Sequence, residues 1–126
     1  MTKFSIPKLL PATYLGVLGV AIAFPGVTNA HVFPIQEEPG AGATVRSPTQ
    51  VSIRFAGPLE PAFSSVLVTN AAGKQVNAAS ASVDPRHPAN IFVRLPELTA
   101  GRYRVHWVAV SDDAHRTHGD YTFNVM

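Results

Sequence analysis

The chain has 126 residues, ten Lys and Arg against eight Asp and Glu, and no cysteine. That length fits one domain with a modest core. The absence of cysteine excludes disulfides, thiolate nucleophiles and thiolate metal sites, so any site must come from His, Asp, Glu, a free amine or backbone groups. In chain order, residues 1–30 predict a secretory targeting segment. Lys3 and Lys8 give a positive start, Leu9 to Phe24 carry no charge, and Pro25 and Gly26 break the run before the small-residue triplet Thr28-Asn29-Ala30. A membrane anchor is the competing reading. The run is shorter than the roughly 20 residues a spanning helix needs, however, and Pro11 interrupts it. With no twin-arginine pair, the general secretory route is the simpler expectation. Cleavage after Ala30 makes residues 31–126 the mature domain and His31 its first residue. Loss of Lys3 and Lys8 then leaves eight basic side chains against eight acidic ones, with no basic stripe for nucleic acid.

The mature region reads as strands. Val51–Phe55 alternates Val51, Ile53 and Phe55 with Ser52 and Arg54. Ser65–Asn70 is β-branched and runs into a turn at Gly73. Asn90–Leu95 alternates Ile91, Val93 and Leu95 with Arg94. In Arg102–Val110, Tyr103, Val105, Trp107 and Ala109 share one face, while Arg102, Arg104 and His106 take the other. Asp120–Val125 repeats the pattern with Tyr121, Phe123 and Val125. Period-2 patterning rich in β-branched and aromatic residues is the strand signature. Turn signals separate the runs at Glu38-Pro39-Gly40, Ser47-Pro48, Gly57-Pro58, Asp84-Pro85 and Ala100-Gly101. The alanine-rich stretch Ala71–Ser82 contains Gly, Ser and Asn and predicts a hairpin or irregular loop. The expected fold is all-β: a small Greek-key sandwich or barrel of about seven antiparallel strands.

Five histidines stand at positions 31, 87, 106, 115 and 118. His87 lies between prolines and reads as a solvated loop residue. His106 reads as a half-exposed sheet residue, and Trp107 as core. The segment Ser111–Asp120 is different, because three carboxylates and two histidines crowd the connection between two strands. In extended backbone, Asp113 and His115 project to one face, close enough to share a metal. A polar turn with chance histidines is the plainer reading of that segment alone. An N-terminal His31 would add its α-amine and Nδ1, giving with His115 and Asp113 three nitrogens and one oxygen. Such a set suits tetragonal Cu(II). Zinc accepts similar donors but prefers a tetrahedron.

The run Tyr103-Arg-Val-His-Trp-Val-Ala-Val-Ser-Asp-Asp-Ala-His115, followed by Gly119 and Tyr121-Thr-Phe123, resembles the C-terminal signature of the CopC family. Pro39 with Gly42, and Pro48 with Val51–Phe55, resemble that family's N-terminal pattern, so the likeness spans the mature domain. The resemblance implies a periplasmic Greek-key β-barrel or sandwich that binds one Cu(II) through His31, Asp113 and His115. It also implies a role in copper resistance or uptake beside a CopD-like membrane copper transporter. Two departures bear on the site. Gly57 stands where some members place a weakly coordinating glutamate, and Glu60 is out of register with it. The chain has only Met1 and Met126, so it lacks the methionine-rich Cu(I) loop of some relatives. His118 reads either as a group assisting the site or as an exposed loop histidine.

Two other functions compete. A histidine-brace redox enzyme, similar to lytic polysaccharide monooxygenases, would need an open coordination position that Asp113 fills or crowds. A metal-free sandwich interaction module would need His31, Asp113 and His115 to lie apart. The reading favoured by the residues is a non-enzymatic Cu(II)-binding protein.

Overall fold

The computed structural model describes residues 31–126 together with Thr2, Lys3, Ser5, Gly16 and Gly19. The rest of the expected targeting segment, residues 1–30, lies outside the described residues. Eight strands follow in order: β1 (Pro34–Glu38), β2 (Thr44–Val45), β3 (Gln50–Phe55), β4 (Ser65–Asn70), β5 (Ser82–Val83), β6 (Asn90–Arg94), β7 (Gly101–Val110) and β8 (Arg116–Val125). They form two four-stranded sheets, ordered β1-β3-β6-β5 and β2-β8-β7-β4. Among the described residues there is no helix, and none therefore long and apolar enough to cross a membrane.

The alternating strands build the core as their patterns require. Val51, Ile53 and Phe55 of β3, Ile91 and Val93 of β6, Val66 and Val68 of β4, and Val105 and Ala109 of β7 are all buried. Burying the Val, Ile and Phe side chains among them contributes about 1.5–3 kcal/mol each relative to exposure. The Phe55 and Trp107 rings meet edge-to-face between the sheets, with centroids 5.2 Å apart. Tyr103 and Phe123 stack at 5.7 Å, and the Tyr103 hydroxyl donates to the Thr99 carbonyl at 2.7 Å. Gly119 faces Trp107 so closely that a Cβ there would lie 2.6 Å from the indole. The small residue in β8 thus makes room for the large one in β7.

The all-β sandwich matches the expectation, with three differences. There are eight strands rather than about seven, because β1, β2 and β5 are short and two of them span only two residues. β1 begins at Pro34 and carries Gln36, Glu37 and Glu38 at a sheet edge. Pro is tolerated there, and a solvated edge shows little apolar alternation. The pairing is also not wholly antiparallel, since β2 runs parallel to β8 through Thr44↔Asn124 and Val45↔Val125. Third, β8 starts at Arg116, four residues before the expected strand, and its ladder with β7 runs from Val110↔Arg116 to Gly101↔Val125. The outward side chains Arg116, His118 and Asp120 hide this extension, because the inward ones are only Thr117 and Gly119.

Candidate metal centre

β7 and β8 are joined at one end of the sandwich by a tight turn. Ser111 forms a bridge with Leu59, and Ala114 takes up the left-handed backbone region at φ 68°. The Ala114 N–H donates to the Ser111 carbonyl at 3.0 Å, and the Ser111 N–H to the His115 carbonyl at 2.9 Å. Ser111 is buried, and its hydroxyl donates to Asp113 Oδ1 in a very close contact. The same carboxylate oxygen accepts the His115 N–H at 3.2 Å. Asp113 Oδ2 lies 2.8 Å from His115 Nδ1. The Ser111 hydroxyl, followed by the ring and backbone N–H of His115, pulls the Asp113 pKa down to about 2. A carboxylate held ionised and aimed at an imidazole fixes that ring's orientation, the arrangement by which protein metal ligands are commonly braced.

The N-terminal segment arrives at the same turn. Val32 is buried, its carbonyl accepts the Thr117 hydroxyl at 2.7 Å, and the Phe33 carbonyl accepts the Ala56 N–H at 2.9 Å. These bonds set His31 beside His115, with ring centroids 6.1 Å apart and planes at 72°. Two imidazoles on one ion at bond lengths of about 2.0–2.1 Å have centroids about 4.5 Å apart when cis and about 6.3 Å when trans, so the spacing of this pair is that of trans ligands on a shared ion. Among the described residues, no three His, Asp or Glu side chains converge on one point as they stand. The Asp113 carboxylate is turned toward the His115 ring, and sharing an ion requires side-chain rotation.

The three expected ligands therefore lie at one end of the fold, but for a different local reason. Asp113 and His115 meet across a turn with a left-handed residue between them, not along extended backbone. His118 lies on strand β8 rather than in a loop, and its ring is 6.2 Å from that of His106. His87 lies in the turn after β5, where its N–H donates to the Asp84 carbonyl at 3.2 Å. The Glu60 N–H donates to the Val110 carbonyl at 2.7 Å, which places that backbone beside the end of β7. Sequence reasoning missed two residues that shape the site. Ser111 was visible only as part of the signature, and Thr117 was visible only as a polar residue two positions after His115.

The CopC domain model matches residues 35–126. The chain belongs to the CopC family. Copper resistance protein C of Escherichia coli is 33% identical over 121 residues, covering 90% of this CopC-family chain and 94% of that protein. The crystal structure of CopC from Methylosinus trichosporium OB3b has a TM-score of 0.71 at 35% identity, over 75% of this chain and 93% of its own. PcoC, a methionine rich copper resistance protein from Escherichia coli, has a TM-score of 0.69 at 32% identity, over 77% of this chain and 100% of its own. The family expected from the Tyr103–His115 signature is thus the family found. The match begins at Ile35, so His31 precedes it.

Proposed function

We propose that this CopC-family chain is an exported Cu(II)-binding protein that sequesters or carries copper for resistance or homeostasis. The observation that carries the reading is the placement of the His31 ring 6.1 Å from that of His115, whose Nδ1 faces Asp113. Cleavage after Ala30 would free the His31 amine. The donors would then be that amine, the imidazoles of His31 and His115, and the Asp113 carboxylate. Three nitrogens and one oxygen fit the tetragonal preference of Cu(II), which also heads the divalent affinity series. An α-amine has a pKa of about 7.7–8.0, so binding must displace a proton and affinity falls as the medium is acidified. Four donors from one chain nearly fill a plane. That favours holding and transfer of one tightly bound Cu(II) per chain over catalysis, which needs an open position.

The names of the relatives, copper resistance protein C and PcoC, support a copper role. Unlike the methionine rich PcoC, this chain has only Met1 and Met126, so it lacks the thioethers that Cu(I) prefers and is read as specific for Cu(II). The proposed setting is the periplasm, and the proposed recipient is a CopD-like membrane copper transporter.

The test is electron paramagnetic resonance of the chain beginning at His31, loaded with one equivalent of Cu(II). A parallel sample carries one extra N-terminal residue. A single tetragonal, nitrogen-rich signal that the extension alters is the expected result. The spectrum of loosely bound copper in both samples would overturn the His31-amine site.

A further inference from the structure

A second pair of imidazoles lies on the outer face of the β2-β8-β7-β4 sheet. His106 on β7 is directly opposite Asp120 on β8, and His118 is opposite Val108, so the two histidines are diagonal neighbours across one ladder. Their ring centroids are 6.2 Å apart, with planes at 44°. His118 is exposed, and the His106 side chain is 40% exposed. Asp120 Oδ1 lies 2.8 Å from His106 Nδ1. It also accepts the Arg104 Nε–H at 3.0 Å and pairs with Arg104 Nη2 at 2.9 Å.

Each contact has a chemical consequence. Asp120 accepting from Nδ1 of His106 fixes the tautomer that leaves Nε2 with its lone pair. This is the carboxylate–histidine arrangement found behind metal-bound imidazoles. Arg104 neutralises Asp120, so the imidazoles rather than the carboxylate are the donors on offer. Both histidines project from one regular ladder that buries Val105, Trp107 and Tyr121 on its other face. That backbone is among the most firmly paired in the fold, which keeps the rings in proximity. Two imidazoles sharing an ion at about 2.0–2.1 Å have centroids about 4.5 Å apart when cis and about 6.3 Å when trans, so a separation of 6.2 Å matches a trans pair.

We propose that His106 and His118 form a second, weaker Cu(II) site, completed by water and braced by Asp120, separate from the His31–His115 centre. With two protein donors instead of four, it fills only after the first ion is bound. Cu(II) is the divalent ion that two neutral imidazoles hold best. The site stands independently of the proposed function, because it uses neither the N-terminal amine nor the Asp113–His115 turn.

The test is a two-equivalent Cu(II) titration of the chain beginning at His31, followed by calorimetry and electron paramagnetic resonance, with His106→Gln and His118→Gln alongside. Wild type is expected to take up a second, weaker equivalent with a distinct nitrogen-containing signal. Either substitution should weaken that equivalent by about ten-fold or more and leave the first unchanged. Nuclear magnetic resonance of wild type gives a readout that needs no variant: the His106 and His118 ring signals broaden as copper passes one equivalent. A purely structural Arg104–Asp120–His106 network predicts no second equivalent. That result would overturn the proposal, as would a second equivalent that survives both substitutions. Failure of the first equivalent with the second intact would sink the amine site and leave this one standing.

Discussion

The Thr117 hydroxyl donates to the Val32 carbonyl at 2.7 Å, joining positions 85 residues apart in the chain. This bond fastens the segment carrying His31 to the start of β8, two residues after His115. Thr117→Val keeps the shape and removes the donor, leaving the carbonyl to find water. The expected cost is about 1 kcal/mol in stability, with Cu(II) affinity falling about ten-fold as the N-terminal segment loosens. Thr117→Ser should restore both. Denaturant unfolding and competitive copper titration check the pair. Unchanged affinity in the valine variant would mean that Phe33 and Val32 position His31 without the hydroxyl.

Tyr121 sets the alkaline behaviour. Its ring is buried on the inner face of β8, and its hydroxyl has no hydrogen-bond partner among the described residues. Burial, and then the negative charges of Glu37 and Glu38, push its pKa well above the usual tyrosine value. The native state therefore keeps a proton that the unfolded chain gives up near pH 10. Stability from this group is complete below about pH 10 and declines as pH rises past it. Tyr121→Phe removes an unpaired buried hydroxyl and is expected to be neutral or more stable by about 1 kcal/mol near neutrality. Its stability should also decline less between about pH 9.5 and 11. Unfolding midpoints across that range decide it, and a parallel decline in both proteins would show that other groups control the alkaline limit.

Gly119 tests the packing behind the second histidine pair. A methyl group there would lie 2.6 and 2.8 Å from two indole carbons of Trp107. Trp107 is itself wedged against Phe55, so the ring has little room to retreat. Gly119→Ala is expected to cost about 1–3 kcal/mol and to shift the Trp107 fluorescence. Denaturant midpoints and emission spectra measure both. A loss below about 0.5 kcal/mol would show that the indole slides aside freely.

Much of this fold was legible where one face of a strand is dry. Val51, Ile53 and Phe55, or Tyr103, Val105 and Trp107, alternate because their neighbours face water, and both strands were placed within a residue of their ends. β1 was not legible, because Gln36, Glu37 and Glu38 form a polar edge that pairs through backbone alone. The two-residue β2 and β5 carry too few positions to show any period. At the candidate metal centre, the residue types and their spacing marked Asp113 and His115. The left-handed Ala114 and the buried Ser111 hydroxyl that shape the turn depend on backbone geometry that no pattern displays. His118 was placed in a loop because its strand neighbours Arg116 and Asp120 are also polar.

Both ends of the 31–126 region are anchored on β8. Thr117 near its start holds Val32. At its finish, β2 lies alongside Asn124 and Val125, and the Met126 N–H donates to the Val45 carbonyl at 3.0 Å. From Thr117 to Val125 the strand rises about 27 Å. A stretching force between His31 and Met126 therefore runs along β8 instead of across it. The load is carried by the covalent backbone of β8 and by the Thr117–Val32 bond at its start, and the rungs from Val110↔Arg116 to Gly101↔Val125 that join β8 to β7 are spared.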